Sequence, residues 1–252
     1  MYYIGIDIGS TATKVAIFDE DNLQDTILMK TGWSSKETAN EIEELLESKG
    51  IMKENRKVVA TGYGRVSVPY ADKSITEITC HGKGAHYLMN GDATVIDIGG
   101  QDTKVISLQN GMISNFLMND KCSAGTGRFL EIMANVLGVD IKELCDLAEN
   151  GSGVTISSMC TVFAESEVIS LIGSGEAKEN IAFAVIDSIV SKVASLCNKF
   201  SSENKYYLTG GLSKAPYIVK SLGEKLNAKV ETHELAHYAG AIGAGISAKN
   251  IK

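Results

Sequence analysis

Residues 6–15 read IDIGSTATKV and residues 96–105 read IDIGGQDTKV, so one ten-residue pattern occurs twice, 90 residues apart. The two copies are identical at seven of their ten positions. Each copy has the pattern of a β-branched strand, a tight glycine turn and a second strand. Two hairpins of one design predict an α/β protein built from two lobes of one design.

Each turn brings an aspartate close to backbone N–H groups. Asp7 and Asp97 each stand two residues before a glycine, which has no Cβ and lets the backbone approach another group closely. Successive turn N–H groups form a nest for anions. Facing each other across a cleft, two such turns would hold a polyphosphate, with Asp7 and Asp97 binding Mg²⁺ directly or through water. One copy alone is equally typical of an ordinary hairpin with a solvated aspartate, and the repeat favours phosphate binding.

The residues predicted to contact the nucleotide come from the two repeated turns and two further segments. A third glycine turn, LTGG, follows a predicted strand and precedes a helix predicted to begin near Lys214, and a helix N-terminus suits a phosphate. The sequence has no GxxxxGK[ST] loop, so ATP would be bound without one. The predicted binding residues are Ser10, Thr11, Ala12, Thr13, Lys14, Gly99, Gly100, Gln101, Thr126, Gly127, Gly210 and Gly211.

Composition excludes several classes of protein. The chain has 252 residues and 24 Lys and Arg against 31 Asp and Glu, a net charge of −7 that gives no basic footprint for nucleic acid. Residues 1–10 lack the basic start of a secretory signal. The apolar stretch 181–197 is interrupted by Asp187 and Lys192 and falls short of a membrane span. We therefore expect a cytoplasmic protein.

The five cysteines are widely spaced, with no C-x-x-C, and a disulfide framework is not expected. Cys122 and Cys160 each precede a predicted helix, where the free N–H groups would stabilise a thiolate. A 4Fe-4S cluster usually needs four cysteines, so two per chain would suffice only in a two-fold dimer. Spacing alone favours burial of both as small apolar residues. The other three, Cys80, Cys145 and Cys197, are predicted to lie in the core.

Four motifs in a fixed order resemble the superfamily of acetate kinase, sugar kinases, Hsp70 and actin. They are DIGSTATK, DIGGQDTK, LTGG and AGAIGAG, and together they span the chain. The resemblance implies two ribonuclease-H-like lobes around a nucleotide cleft that opens and closes with the nucleotide state. We expect the first lobe to comprise residues 1–90 with 238–252, and the second, which carries the cysteines, residues 91–237.

A closer resemblance rests on longer segments: ATGYGR (60–65), IDIGGQD (96–102), NDKCSAGTGRFLE (119–131) and SSMCTVFAESEVIS (157–170). They are similar to the ATP-dependent activators, or component A, of the 2-hydroxyacyl-CoA dehydratases, in one broader family with the ATPase subunits of benzoyl-CoA reductase. The resemblance implies a homodimer that shares one 4Fe-4S cluster through Cys122 and Cys160 of each subunit. It also implies that ATP changes the angle between the two cluster-bearing helices and drives one electron to a partner.

The implied partner is an iron-sulfur dehydratase or a double-cubane reductase, with reduced ferredoxin or flavodoxin as electron donor. For ATP hydrolysis we assign Gln101 to orient the attacking water, with Asp97 and Asp7 near Mg²⁺, by analogy with glutamine in other nucleotide hydrolases. A small-molecule kinase of the same superfamily, without a cluster, is the alternative. A third possibility is a non-enzymatic actin-like filament or nucleotide sensor, and the paired cysteines disfavour both.

Two other features carry less weight. His233 and His237 form a literal H-E-x-x-H, but no third ligand follows them and the first histidine comes directly after a predicted strand. We therefore expect a loop and not a zinc site there. Arg65, in a turn after another strand, could face phosphate or a partner, although exposed arginines are common.

Overall fold

The computed structural model describes residues 1–157, 160–199 and 205–251. The chain divides into two compact units. The first comprises Met1–Asp92, Leu108–Ser114 and Leu235–Lys252, and the second comprises Ala93–Ser107 and Asn115–Glu234.

The first sheet has five strands in the order β3-β2-β1-β4-β5. Its central strand β1 pairs antiparallel with β2 and parallel with β4. Three helices belong to this unit, and the bounds of all these elements are β1 Tyr2–Ile8, β2 Ala12–Asp19, β3 Asn22–Lys30, β4 Arg56–Thr61, β5 Lys73–Ser74, α1 Ser35–Ser48, α2 Glu77–Met89 and α8 Ala239–Ala248.

The second sheet has the order β10-β9-β6-β7-β8, in which β6 takes the central place of β1. Strand β6 pairs antiparallel with β7 and parallel with β9. The bounds of its strands and of the remaining helices are β6 Thr94–Ile98, β7 Thr103–Gln109, β8 Met112–Asn119, β9 Lys205–Gly210, β10 Lys229–Glu231, α3 Gly127–Leu137, α4 Ile141–Ala148, α5 Thr161–Gly173, α6 Lys178–Asn198 and α7 Pro216–Leu226.

The two sheets therefore follow one plan, strand for strand. In each sheet the central strand pairs antiparallel with the strand that follows it in the chain. On its other side it pairs parallel with a strand from later in the chain. The repeated ten residues form the β1–β2 and β6–β7 hairpins, as the sequence predicts. The α/β class and the internal duplication are confirmed.

Helix α8 packs against β1 so closely that no side chain fits between them. A Cβ on Gly5 would stand 1.9 Å from the carbonyl oxygen of Ala241, and a Cβ on Gly243 would stand 1.8 Å from that of Cys80 in α2. The small residues of the AGAIGAG segment thus serve close packing of backbone on backbone. This contact fixes the end of β1, where Asp7 lies, against the start of α8.

Helix α6 forms the centre of the second core. Ten of its residues are buried, among them Val185, Ile189 and Val193. By length and composition alone this helix could cross a membrane, which differs from the expectation that its charges would shorten the apolar stretch. More than half of its most apolar window is buried inside the protein, and core helices pass the same test, so it is weak evidence for a span.

The third glycine turn differs in detail from its prediction. Gly211–Lys214 forms a 3-10 helix, and α7 begins only at Pro216. Proline favours the first helical position because its fixed φ suits a helix and its missing N–H would have no partner there. The helix N-terminus therefore lies beyond Lys214, and the residues directly after β9 are those of the 3-10 turn.

We predict that Gly243→Ala lowers the free energy of unfolding by about 1–3 kcal/mol or more, because the new methyl group meets the Cys80 carbonyl. Gly173→Ala is the matched control, since that helical glycine has nothing within 4 Å of its Cβ position. Urea unfolding of both variants measures the difference. A Gly243→Ala protein as stable as the control would contradict the packing of α8 described above.

Candidate functional site

The first repeated turn follows β1 and is closed by its own backbone. The Gly9 N–H donates to the Ala12 carbonyl, and the Thr31 hydroxyl donates to the Gly9 carbonyl at 2.8 Å. Ser10 and Thr11 are exposed at the tip, whereas Ala12 and Lys14 are half-buried. The Thr13 hydroxyl is buried and shares a 2.7 Å hydrogen bond with Thr31, so it supports the turn from behind.

The Asp7 carboxylate is buried and enclosed by three other segments of its unit. A Cβ on Gly62 would stand 2.6 Å from its Oδ1, and a Cβ on Gly240 would stand 2.5 Å from its Oδ2. The Nε2 atom of His81 lies 3.8 Å from the same Oδ2. A side chain at either glycine would therefore meet this carboxylate, which lies against their backbone and faces the imidazole.

The second repeated turn follows β6 and carries a buried ion cluster. Lys104 Nζ lies 2.8 Å from the Asp102 carboxylate and 3.4 Å from Asp97 Oδ2. The Thr209 hydroxyl donates to Asp97 Oδ1 at 2.9 Å. All three charged side chains are at most 6 % exposed, so their interaction is little screened by solvent. Asp97 thus already faces an ammonium group, whereas Asp7 faces an imidazole.

The start of α3 is hydrogen-bonded to this second turn. The Gly127 N–H donates to the Gly99 carbonyl and the Arg128 N–H to the Gly100 carbonyl, both at 2.8 Å. The structure thus brings the predicted residues Gly99, Gly100, Thr126 and Gly127 together, although these two N–H groups of α3 are occupied by protein. Gln101 lies at the tip of the turn and is exposed.

A Thr-Gly pair at the end of the adjacent parallel strand lies beside each turn. The two pairs were not connected with each other from the sequence alone. Thr61 lies opposite Asp7 in the parallel register, and Thr209 lies opposite Asp97. The glycines that follow, Gly62 and Gly210, have φ of +88° and +82°. The signal was present, since an apolar strand ends in Thr-Gly in both ATGYGR and LTGGLS.

Beside Gly211 lies a pocket of about 600 Å³ in the second unit. Apolar atoms dominate its wall and a few charged side chains also line it, which is the usual character of a small-molecule site. The lining includes Gly211, Leu212, Lys214, Ala215, Pro216, Tyr217, Ile141 and Lys220. The pocket therefore adjoins the predicted residues Gly210 and Gly211.

The cysteines separate into two classes. Cys80, Cys145 and Cys197 are buried, and burial raises their pKa values to about 12, 11 and 12. Cys122 and Cys160 are exposed. The two exposed thiols are thus the ones available to bind a metal, and the buried three lie in the core as predicted.

The two segments that carry the exposed cysteines are joined by a hydrogen bond. Ser123 and Thr161, which directly follow them, share a 2.9 Å hydrogen bond between hydroxyl groups. Cys160 caps the N-terminus of α5, whereas Cys122 precedes the Thr126 cap of α3 by four residues. Only Cys160 therefore lies at a helix end in the predicted manner, because residues 123–126 form a turn before α3 begins.

Lys192 of α6 lies close to this pair. The pKa of Lys192 is lowered, and burial is the main cause. The electrostatic effect of Cys122 and Cys160 raises the pKa and offsets part of this change. Cys122 and Lys192 also line one hollow of about 570 Å³. Ser158 and Met159, part of the segment that suggested the activator family, lie outside the described residues.

The H-E-x-x-H segment does not form a helical pair of ligands. His233 lies in a loop and His237 lies in the 3-10 helix Ala236–Tyr238, where its ring contacts Tyr238 at 4.0 Å between centroids. Within the described ranges, no three His, Cys, Asp or Glu side chains stand together as a metal site. A four-thiolate cluster would thus need cysteines from a second chain.

Comparison with known proteins identifies the family. Residues 4–248 match the model of the BadF/BadG/BcrA/BcrD ATPase family. The chain is 43% identical to the (R)-2-hydroxyglutaryl-CoA dehydratase activating ATPase of Acidaminococcus fermentans, over 98% of this chain and 97% of that protein. It is 40% identical to the 2-hydroxyisocaproyl-CoA dehydratase activator of Clostridioides difficile, over 98% and 95% of the two chains.

Solved structures agree with this assignment. The crystal structure of the Acidaminococcus fermentans dehydratase component A superposes with a TM-score of 0.93 at 42% identity, over 99% of this chain and 98% of that one. The Clostridium difficile activator with bound ADPNP superposes with a TM-score of 0.91 at 38% identity, over 100% and 98%. A ROK family glucokinase from Streptomyces griseus, at 14% identity and a TM-score of 0.64, shares the fold. The resemblance seen in the sequence is confirmed, and the chain belongs to the BadF/BadG/BcrA/BcrD ATPase family.

Proposed function

We propose that this protein is an ATP-driven one-electron reductase that activates a separate iron-sulfur dehydratase or reductase. The observation that carries the proposal is the pair of exposed cysteines, whose next residues, Ser123 and Thr161, are hydrogen-bonded to each other, in a chain whose other three cysteines are buried. The relatives named above, a dehydratase activating ATPase and a dehydratase activator, support the activating role.

The nucleotide is proposed to bind at the glycine turns, within two units that correspond to two ATPase lobes. The relative that was solved with ADPNP supports binding of ATP. The phosphates would contact the first turn through Ser10–Lys14 and the second through Gly99–Gln101. The pocket beside Gly211 has the size and the apolar wall that an adenosine group needs.

Both aspartates have the oxygen ligands that Mg²⁺ prefers. Asp7 fits the ion better, since its carboxylate faces an imidazole and the Lys104 ammonium lies beside Asp97. Asp97 already faces the Lys104 ammonium, so it suits a contact through water. Mg²⁺, when bound, would neutralise charge on the phosphates, and the exposed Gln101 would orient the attacking water from the second turn.

The paired cysteines fit a shared 4Fe-4S cluster. Cys122 and Cys160 from each of two chains would give the four thiolates required, and the cluster when bound would supply one-electron redox chemistry. Helix α5, which starts directly after Cys160, exposes Val162, Phe163, Ile169 and Ile172. These exposed apolar residues, on the helix that begins directly after Cys160, support a homodimer in which a second copy covers them.

ATP hydrolysis would supply the driving force for the electron. For a one-electron step each 1.4 kcal/mol corresponds to about 59 mV. Contacts that differ between bound ATP and bound ADP would shift the equilibrium between two conformations of the cluster-bearing helices. A ligand can shift such an equilibrium only if it binds the two conformations with different affinity. The proposed donors are reduced ferredoxin or flavodoxin, the proposed clients are a 2-hydroxyacyl-CoA dehydratase or a double-cubane reductase, and the location is the cytoplasm.

We predict that Gln101→Ala slows ATP hydrolysis by about 10²-fold, a typical loss for a group that assists proton transfer or positions water. The unfolding curve should not change, because Gln101 is exposed. Gln109→Ala is the control, since that glutamine is also exposed and ends β7. Phosphate release measures the rate, and an unaltered rate in Gln101→Ala would show that the assignment of Gln101 is wrong.

We predict that the protein purified without oxygen carries about four iron atoms per two chains. Cys122→Ser and Cys160→Ser should each lose the iron, whereas Cys145→Ser should keep it, because that thiol is buried in the core. Iron analysis, the visible spectrum and the mass in solution report the result. A colourless wild-type protein that phosphorylates a small molecule would instead favour the kinase alternative.

A further inference from the structure

Lys192 places a positive charge beside the two exposed cysteines, and the proposed function gives it no role. We propose that Lys192 raises the reduction potential of the iron-sulfur group held by Cys122 and Cys160. The inference rests on the proposed function, because it needs that group to be present. Lys192 would act on the group through its charge alone and would not be a ligand or a catalytic residue.

The Lys192 side chain packs along the loop that carries Cys122, residues 120–126. A Cβ on Gly125 would stand 3.4 Å from Lys192 Cβ and 4.0 Å from its Cδ, so the lysine stem runs beside this glycine. Gly125 has φ of +91°, a conformation that side chains rarely adopt. The loop that carries Cys122 therefore approaches the stem closely, and Asn119 fixes that loop by donating to the Cys122 and Ala124 carbonyls.

The lysine head is partly withdrawn from water. Its Nζ lies 5.8 Å from the centroid of the Phe129 ring, within the range of a cation–π contact. Lys192 is half-buried, and both thiols lie within reach of its electrostatic effect. Interactions between charges strengthen as the surrounding dielectric falls, so this ammonium acts on the cysteines more strongly than a fully exposed one.

Neighbouring charges leave this effect in place. Asp187 also lines the hollow, but its carboxylate binds Lys225 at 2.8 Å and the Ser191 hydroxyl at 3.3 Å. Lys199, the other cation of the lining, is exposed and more strongly screened by solvent. Of the two lysines that line the hollow, Lys192 is therefore the one that combines partial burial with an electrostatic effect on both thiols.

The sign of the effect follows from charge balance. Reduction by one electron makes an iron-sulfur group more negative, and a nearby cation stabilises the reduced form. In a homodimer each chain contributes two cysteines and one Lys192, so two ammonium groups would act on one shared group. The reduced state would then be easier for the electron donor to reach, and ATP would have to supply more of the free energy for the onward transfer.

The test is an anaerobic redox titration of the holoprotein at physiological ionic strength. We expect Lys192→Met to keep its iron and to shift the midpoint potential to more negative values, whereas Lys192→Arg should stay close to wild type. Lys178→Met is the matched control: it removes one exposed lysine from the same helix, about 21 Å away at 1.5 Å per residue. That distance exceeds the Debye length of about 8 Å at physiological ionic strength, so its potential should not change.

Two results would overturn the inference while the proposed function stands. One is a Lys192→Met protein with full iron and a wild-type potential. The other is loss of iron from both Lys192→Met and Lys192→Gln, which would make the lysine a structural support of the loop. A wild-type protein that binds no iron would instead remove the proposed function, and this inference with it.

Discussion

A buried carboxylate at the end of a central strand, enclosed by glycine, is the constraint on which the rest of the structure depends. Asp7 and Asp97 occupy this position in the two sheets, each against the Thr-Gly end of the adjacent parallel strand. A side chain on Gly62 or Gly210 would meet the carboxylate and the strand carbonyl at under 3.0 Å. The turn, its register and the neighbouring strand must therefore be retained together.

The two copies of this arrangement have diverged in charge. In the second copy Asp102 and Lys104 place a buried ion pair beside Asp97. In the first copy Ala12 stands where the second has Asp102, and Lys14 is half-buried. Removing one partner of a buried ion pair leaves an uncompensated charge. The carboxylates of the second turn therefore need Lys104 as their partner. The first turn leaves Asp7 more available to an external cation.

Much of the fold and part of the site follow from sequence for identifiable reasons. The duplicated hairpins were predictable because seven identical positions repeat at a fixed offset. The position of His81 beside Asp7 was not predictable, since a histidine in a helix carries no signal that it faces a particular aspartate. The sequence predicts a helix from near Lys214. The structure has a 3-10 turn at Gly211–Lys214, and α7 begins at Pro216. A hydrogen bond between Ser123 and Thr161, 38 residues apart, joins the two cysteine segments, and no local pattern predicts such a contact.

The central claim is that ATP drives an electron from this protein to a partner enzyme. Its most direct test mixes the reduced, iron-loaded protein with a 2-hydroxyacyl-CoA dehydratase, with and without ATP and Mg²⁺, and follows the visible absorption of the cluster. The account predicts reoxidation by one electron per homodimer with ATP, and no comparable transfer without it or with a non-hydrolysable analogue. Transfer at the same rate in the absence of ATP would contradict the account.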